Sequence, residues 1–235
     1  MWGKPPDIHP WDYKYYVAHM TGDDITGSYN VSKALVDNFN TPGKGNLLIM
    51  EGLLANSTLH NRYLGLLKLL KEYPEVKVLD TQSDDAVLTK AYDITENWLT
   101  AFPDIDGIWL PGGLETETVI EVIKAKDPKL LGKIKLCAFD SNLGVLEGIR
   151  DGNIVATVSS NPPKHCAWGF DLAYAAYSGK IDPANEPKEH REFYTKSVLI
   201  DKNNVNSFLA SANSPLRFDF EDTWSIFSSP IPIKD

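Results

Sequence analysis

Short apolar runs, each followed by a stretch with helical spacing, recur along most of the chain, and nothing else in the sequence restricts its fold so strongly. The runs at 46–50 (NLLIM), 76–80 and 134–139 (IKLCAF) are too continuous for strands with one wet face, so they read as strands buried in a parallel sheet. Between them, apolar residues fall on single helical faces. These are Val31, Ala34, Leu35 and Phe39; Leu59, Tyr63, Leu66 and Leu70; and Val87, Ala91, Ile94, Trp98 and Phe102. Such alternation predicts an α/β fold with a doubly wound, mostly parallel sheet. A last strand is predicted at 194–200 and a short helix near 205–210. The aromatic, proline-interrupted tail from 213 is expected to wrap the surface without adding a strand.

Residues 135–163 carry the clearest functional signal. Strand, acidic turn, helix and strand follow one another, so Asp140 and then Ser159, Ser160 and Asn161 arrive at the carboxyl ends of two strands. In open α/β sheets ligands bind at that edge. Within the turn, Asp140, Ser141 or Asn142 can also cap the helix whose apolar stripe is Val145, Leu146 and Ile149. A second signal lies at 57–70, where Ser57 or Thr58 is expected to cap a helix with His60, Asn61 and Arg62 in its first turns. Arg62 has three readings there: a solvated surface arginine, a partner of Asp84 or Asp85, or a donor reaching into the crevice.

Other functional classes are disfavoured. A net charge of -9 opposes binding to phosphate backbones, so nucleic acid is not an expected partner, and no helix-turn-helix is visible. Neither GxGxxG nor GxxxxGK[ST] occurs, although Gly112 and Gly113 would permit close backbone approach to a ligand. Cys137 and Cys166 form no CxxC, and with the five histidines they show no metal-like spacing; two buried free thiols, or a disulfide between them, are the readings. No cofactor and no metal are expected. Asp140, His60 and His165 are the acid–base candidates for an enzyme, but no nucleophile elbow or phosphate loop accompanies them. No run is long enough to span a bilayer, and the first residues lack the apolar middle of a signal peptide.

Three segments taken together resemble the periplasmic sugar-binding proteins of ABC transporters, type I periplasmic binding proteins related to the ribose-binding protein. They are GNLLIMEGLLANSTLHNRYLGLLKLLKEYPEVKVL with Gly52, Arg62 and Gly65; LTAFPDIDGIWLPGG; and the 135–163 stretch, where FD precedes a helix, then DG and a hydrophobic-Ala-Thr run. The resemblance implies two α/β lobes joined by hinge strands, closing on a carbohydrate that is passed to an ABC permease. A membrane sensor for chemotaxis or a two-component system, or the effector domain of a transcription regulator, is the alternative use of such a fold.

Carried over by position, the resemblance makes Arg62 the guanidinium that grips sugar hydroxyls and Asp140 the carboxylate that accepts from adjacent ones. Gly112 stands where the family usually has an asparagine ligand, Ser160 where glutamine is common, and Ala86 where an aromatic often stacks on the ring. Trp109, His60, Asn61 and Asp84 are candidate substitutes. The chain begins at the counterpart of the first lobe's exit strand. The resemblance therefore implies a complete second lobe (24–158 plus 194–201), a first-lobe remnant with hinge crossings (1–23 and 159–193) and a tail (202–235). Uncovered Phe170 and Tyr177 on the remnant helix, whose stripe also holds Cys166 and Ala173, predict self-association, coverage by the aromatic tail, or a missing partner segment. For the parent family the implied location is extracytoplasmic.

Overall fold

The computed structural model describes residues 7–159, 162–212, 224 and 227–231, the side chains of 162–164 excepted. Strands are β1 (His19–Gly22), β2 (Gly45–Glu51), β3 (Val76–Ser83), β4 (Gly107–Trp109), β5 (Lys135–Phe139), β6 (Ala156–Ser159), β7 (Glu192–Thr195), β8 (Val198–Asp201) and β9 (Phe227–Pro230). Helices are α1 (Asp24–Asp37), α2 (Ser57–Leu70), α3 (Leu88–Ala101), α4 (Gly113–Lys126), α5 (Leu143–Arg150), α6 (Pro162–Tyr177), α7 (Lys188–Arg191) and α8 (Val205–Ser211). The chain divides into two compact units, residues 24–159 with 198–213, and residues 1–23, 160–197 and 214–235.

The larger unit holds a six-stranded sheet in the order β3-β2-β4-β5-β6-β8, parallel except for the antiparallel edge strand β8. Successive side chains on a strand point to opposite faces, and here both faces are apolar. Leu47, Ile49, Trp109, Cys137 and Phe139 pack with Val31, Leu35, Leu66 and Leu69 of α1 and α2. Their neighbours Leu48, Met50, Ile108, Leu136 and Ala138 pack with Ile94, Trp98, Val119, Ile123 and Val145 of α3, α4 and α5. The sheet is thus doubly wound, as the alternation predicts.

Gly65 sets how closely α1 and α2 approach. A Cβ there would collide with the Ile25 carbonyl oxygen and sit 2.6 Å from Ser28 Cβ. The Ser28 hydroxyl donates to the Arg62 carbonyl across the same contact.

The smaller unit carries β1, β7 and β9 in the order β1-β7-β9, with a core of Leu172, Ala175, Ile181 and Phe193. Arg191, 5% exposed, donates to the carbonyls of Pro10, Tyr16, Val17 and Pro183 and so ties together three loops. The α6 stripe of Cys166, Phe170, Ala173 and Tyr177 faces outward, while Ala167, Leu172 and Ala175 face the core. Both cysteines are free thiols, and Cys166 is exposed, not buried.

Two expectations are corrected. Residues 194–200 do not form one strand: β7 pairs in parallel with β1, the exposed Lys196 and Ser197 break the run, and β8 pairs with β6 in the other sheet. Period-2 patterning describes burial within a strand and carries no mark of a chain passing between sheets. The tail does add a strand. Phe193 opposes Pro230 and Tyr194 opposes Ser229, with proline tolerated because β9 is an edge.

Candidate functional site

The carboxyl ends of the parallel strands gather one arginine and several carboxylates. Arg62 arrives on the buried face of α2. The helix is capped by Asn56, whose side chain accepts from the amides of Thr58 and Leu59; the expected caps Ser57 and Thr58 lie just inside it. Only 6% of Arg62 is exposed. Its Nε donates to Asp24 Oδ1 at 3.3 Å and its Nη1 to the Pro111 carbonyl at 2.8 Å. Nη2 stands 3.6 Å from Asp140 Oδ1, and the guanidinium lies 4.3 Å over the Phe139 ring. Of its three sequence readings, burial excludes the solvated one, and its ion pairs among the described residues are with Asp24 and Asp140 and not with Asp84 or Asp85, the latter pairing with Lys90.

Asp140 follows β5 with φ 71°, in the left-handed region that a non-glycine residue adopts only at a cost. Strand β6 holds it there. Its amide donates to the Val158 carbonyl at 2.9 Å, and its carbonyl accepts from the Thr157 hydroxyl at 2.7 Å. The Asp140 cap reading is corrected: the N-cap of α5 is Asn142, which makes no side-chain cap bond and instead donates to Glu117. Freed from the helix amides, the Asp140 carboxylate stands one-third exposed beside Arg62.

Asp84 is fully buried beyond the end of β3. Its amide donates to the Glu51 carbonyl and its Oδ1 accepts from the Ala86 amide at 2.8 Å, but Oδ2 has no hydrogen-bond partner among the described residues. Burial pushes its carboxyl above the usual range. Glu51, at the end of β2, likewise has a buried oxygen without a partner, and burial raises its pKa.

Glu115 is the residue that sequence reasoning missed. It sits in the first turn of α4, where Gly112 is the N-cap, and a Cβ on Gly112 would collide with the Glu115 carboxylate. The carboxylate therefore occupies the space that a side chain at position 112 would take. Burial raises its pKa, Asp84 and Asp140 add to the rise, and Arg62 opposes it. The available signal was an acidic residue one turn after Pro-Gly-Gly at a strand end.

The remaining expected residues divide. Gly112 is buried at the cluster, His60 is exposed and Asn61 half-buried, and neither of those two hydrogen-bonds to the cluster among the described residues. Trp109 belongs to the core: it is 0% exposed, donates from its indole to Ser32 Oγ at 2.9 Å and meets Phe139 edge-on. Ser160 lies outside the described residues, while its neighbour Ser159 bonds Ser141. His165 lies in the smaller unit, bonded to Thr195. Among the described residues no group of histidine, cysteine, aspartate and glutamate side chains could hold a metal ion, and no helix is long and apolar enough to cross a membrane. The cluster can offer buried donors and acceptors with fixed geometry to a small polar ligand, which is how such sites recognise hydroxyl groups.

A family model described as a periplasmic binding protein domain matches residues 16–181, which include Arg62, Asp84, Glu115 and Asp140. The chain belongs to that family. Members are solute-binding proteins, not enzymes. A twin-arginine translocation pathway signal protein from Burkholderia phytofirmans superposes on this periplasmic binding protein domain with a TM-score of 0.92 at 30% identity, covering 99% of this chain and 71% of that one. An ABC transporter periplasmic solute binding protein from Actinobacillus succinogenes, with bound D-allose, gives a TM-score of 0.71 at 25% identity over 81% of this chain and 63% of that one. Among curated proteins, the xylitol-binding protein of Mycolicibacterium smegmatis is 25% identical over 165 residues, 68% of this chain and 46% of its own length. The chain spans about half the length of the curated relatives it matches.

Proposed function

We propose that this chain binds a small polyhydroxylated solute, a sugar or sugar alcohol, outside the cytoplasm, and that the solute is handed to a membrane permease. The observation that carries the reading is the pairing of Arg62 with Asp140 at the strand ends. Their 3.6 Å separation is too long for a direct hydrogen bond, so donor and acceptor stand side by side with capacity left for two adjacent ligand hydroxyls. The left-handed backbone at Asp140 adds support, because strain of this kind is kept where a side chain must be aimed. Xylitol and D-allose, the solutes named for two similar proteins, share that pattern of neighbouring hydroxyls.

Gly112 also stays in the proposed site, as the small residue that leaves room for Glu115, and Asp84 as a buried carboxyl whose charge acts on Glu115. His60, Asn61 and Ser160 are assigned no contact. Titration calorimetry of the full chain against pentoses, hexoses and pentitols tests the reading. Saturable binding that falls at least about tenfold in Asp140→Asn supports it, in line with the strength of charge-assisted bonds. Binding that is indifferent to both Arg62 and Asp140 would move the site elsewhere.

A further inference from the structure

The larger unit holds a cavity of about 290 Å³ at the sheet edge opposite the Arg62–Asp140 pair, where β5 and β6 begin and the antiparallel β8 ends. Its lining is apolar in part, from the buried Ile134, Ile149 and Ile154. The polar part comes from Asn38 just past α1, from Lys135 and Asn153, and from the β8–α8 turn at 201–203.

Two of the lining residues are cations and one is a carboxylate, and the carboxylate is engaged within its own turn. Asp201 Oδ1 accepts from the Asn203 amide at 2.8 Å and Oδ2 from the Asn203 side chain at 3.0 Å. The nearest acids in sequence outside the lining are taken as well: Asp37 pairs with Lys33 and Asp151 with Arg150. The lysine ion pairs of the described residues are those of Lys33, Lys44, Lys90 and Lys124, so neither Lys135 nor Lys202 has an acidic partner among them. The half-buried Lys135 ammonium donates to the Gly132 carbonyl, which leaves two of its three donors unassigned. The half-buried Asn153 side chain makes no hydrogen bond among the described residues.

We propose that this cavity is a second binding site, for a small soluble oxyanion: a phosphate or carboxylate group carried on a body of few atoms. Such a group accepts charge-assisted hydrogen bonds from Lys135 and Lys202 and a neutral one from the Asn153 amide, while the three isoleucines receive the carbon skeleton. A neutral polyol would leave both ammonium charges unopposed, and a cation would be repelled by them. The volume lies at the small end of the range for ligand pockets, which favours a ligand of a few carbons over a nucleotide. The site stands apart from the polyol reading, since it shares no residue with the Arg62–Asp140 edge.

The experiment is calorimetry of the full chain near neutral pH with glycerol 3-phosphate, citrate and glycerol, followed by hydrogen exchange with the anion that binds. Saturable binding is expected for glycerol 3-phosphate, citrate or both, at least about tenfold tighter than for glycerol. Which of the two binds names the anionic group. Exchange should slow at 132–135 and 152–155, and binding should be unchanged in Asp140→Asn. Lys202→Gln should weaken binding at least about fivefold, and because Lys202 is exposed this variant leaves the fold intact. Lys135→Gln should weaken it by a similar factor. No saturation by either anion up to about 10 mM overturns the site, as does binding that ignores both lysine variants or that protects the start of α2 instead. Neither result bears on the polyol reading, which the neutral sugars test separately.

Discussion

Arg62 joins stability to recognition in one side chain. Replacing it with methionine removes one donor from Asp24 and the Arg62 donor from the Pro111 carbonyl, so urea unfolding should show a loss of about 2–4 kcal/mol together with lost solute binding. Asp140 separates the two properties. Asp140→Gly relieves the left-handed backbone at no side-chain cost, so the fold should gain about 1 kcal/mol while binding is abolished. A variant that loses stability and keeps binding would show that the strain has no link to the ligand. Asp84 offers a test by pH. Its folded-state carboxyl is raised by burial, so its contribution favours the fold at low pH and is lost as pH rises through the raised value. Asp84→Asn should therefore raise the thermal midpoint at pH 7, and the gain should shrink toward pH 4. A midpoint shift that ignores pH would count against the buried charge. Asp140 was legible at a strand end because a recognisable strand precedes it, whereas Arg62 was legible only as a residue in the first turns of a helix, its choice among three readings coming from the family resemblance. Glu115 was not, since its one signal, an acidic residue shortly after a Pro-Gly-Gly turn, does not separate it from the ordinary acidic residues of a helix's first turn.

The elements place these residues through close packing of α1 on α2 and through the ends of β2, β3, β4 and β5. Gly65 is the narrowest point of the first contact. Gly65→Ala forces a methyl against the Ile25 carbonyl and Ser28, and a loss of about 2 kcal/mol in chemical unfolding is expected. Because α1 carries Asp24 and α2 carries Arg62, the same variant should weaken solute binding without touching the site; unchanged binding would mean that the helices re-seat without shifting either residue. The helical stripes of α2 and α3 were readable because their burial follows the 3.6-residue period. The passage from β7 to β8 was not, because both strands are short and each satisfies the same alternation in a different sheet. The pairing of β9 with β7 escaped for a related reason: a proline counts against a strand interior, and only the finished sheet shows that Pro230 lies at an edge.

For the whole molecule, a solute held at the strand ends should protect the larger unit selectively. Hydrogen exchange with saturating ligand is expected to slow at the start of α2, in the turn after β5 and in the first turn of α4. At about a hundredfold excess over Kd, mass action predicts roughly 2.7 kcal/mol of added stability for the unit that binds. Protection spread evenly over the smaller unit, or absent from these three segments, would contradict the assigned site. By itself the sequence determined the alternation of buried strands and amphipathic helices, and with it the doubly wound sheet and the strand-end edge at which the proposed site lies. Those properties follow from local periods that each segment carries alone. Only the tertiary structure decided that Asp24 and Asp140 stand beside Arg62, that the Glu115 carboxylate fills the space at Gly112, and that Trp109 is sealed in the core. The order β3-β2-β4-β5-β6 brings distant strand ends together, and burial raises the pKa of Asp84 and of Glu115. Proximity and desolvation are properties of the assembled sheet that no single segment encodes.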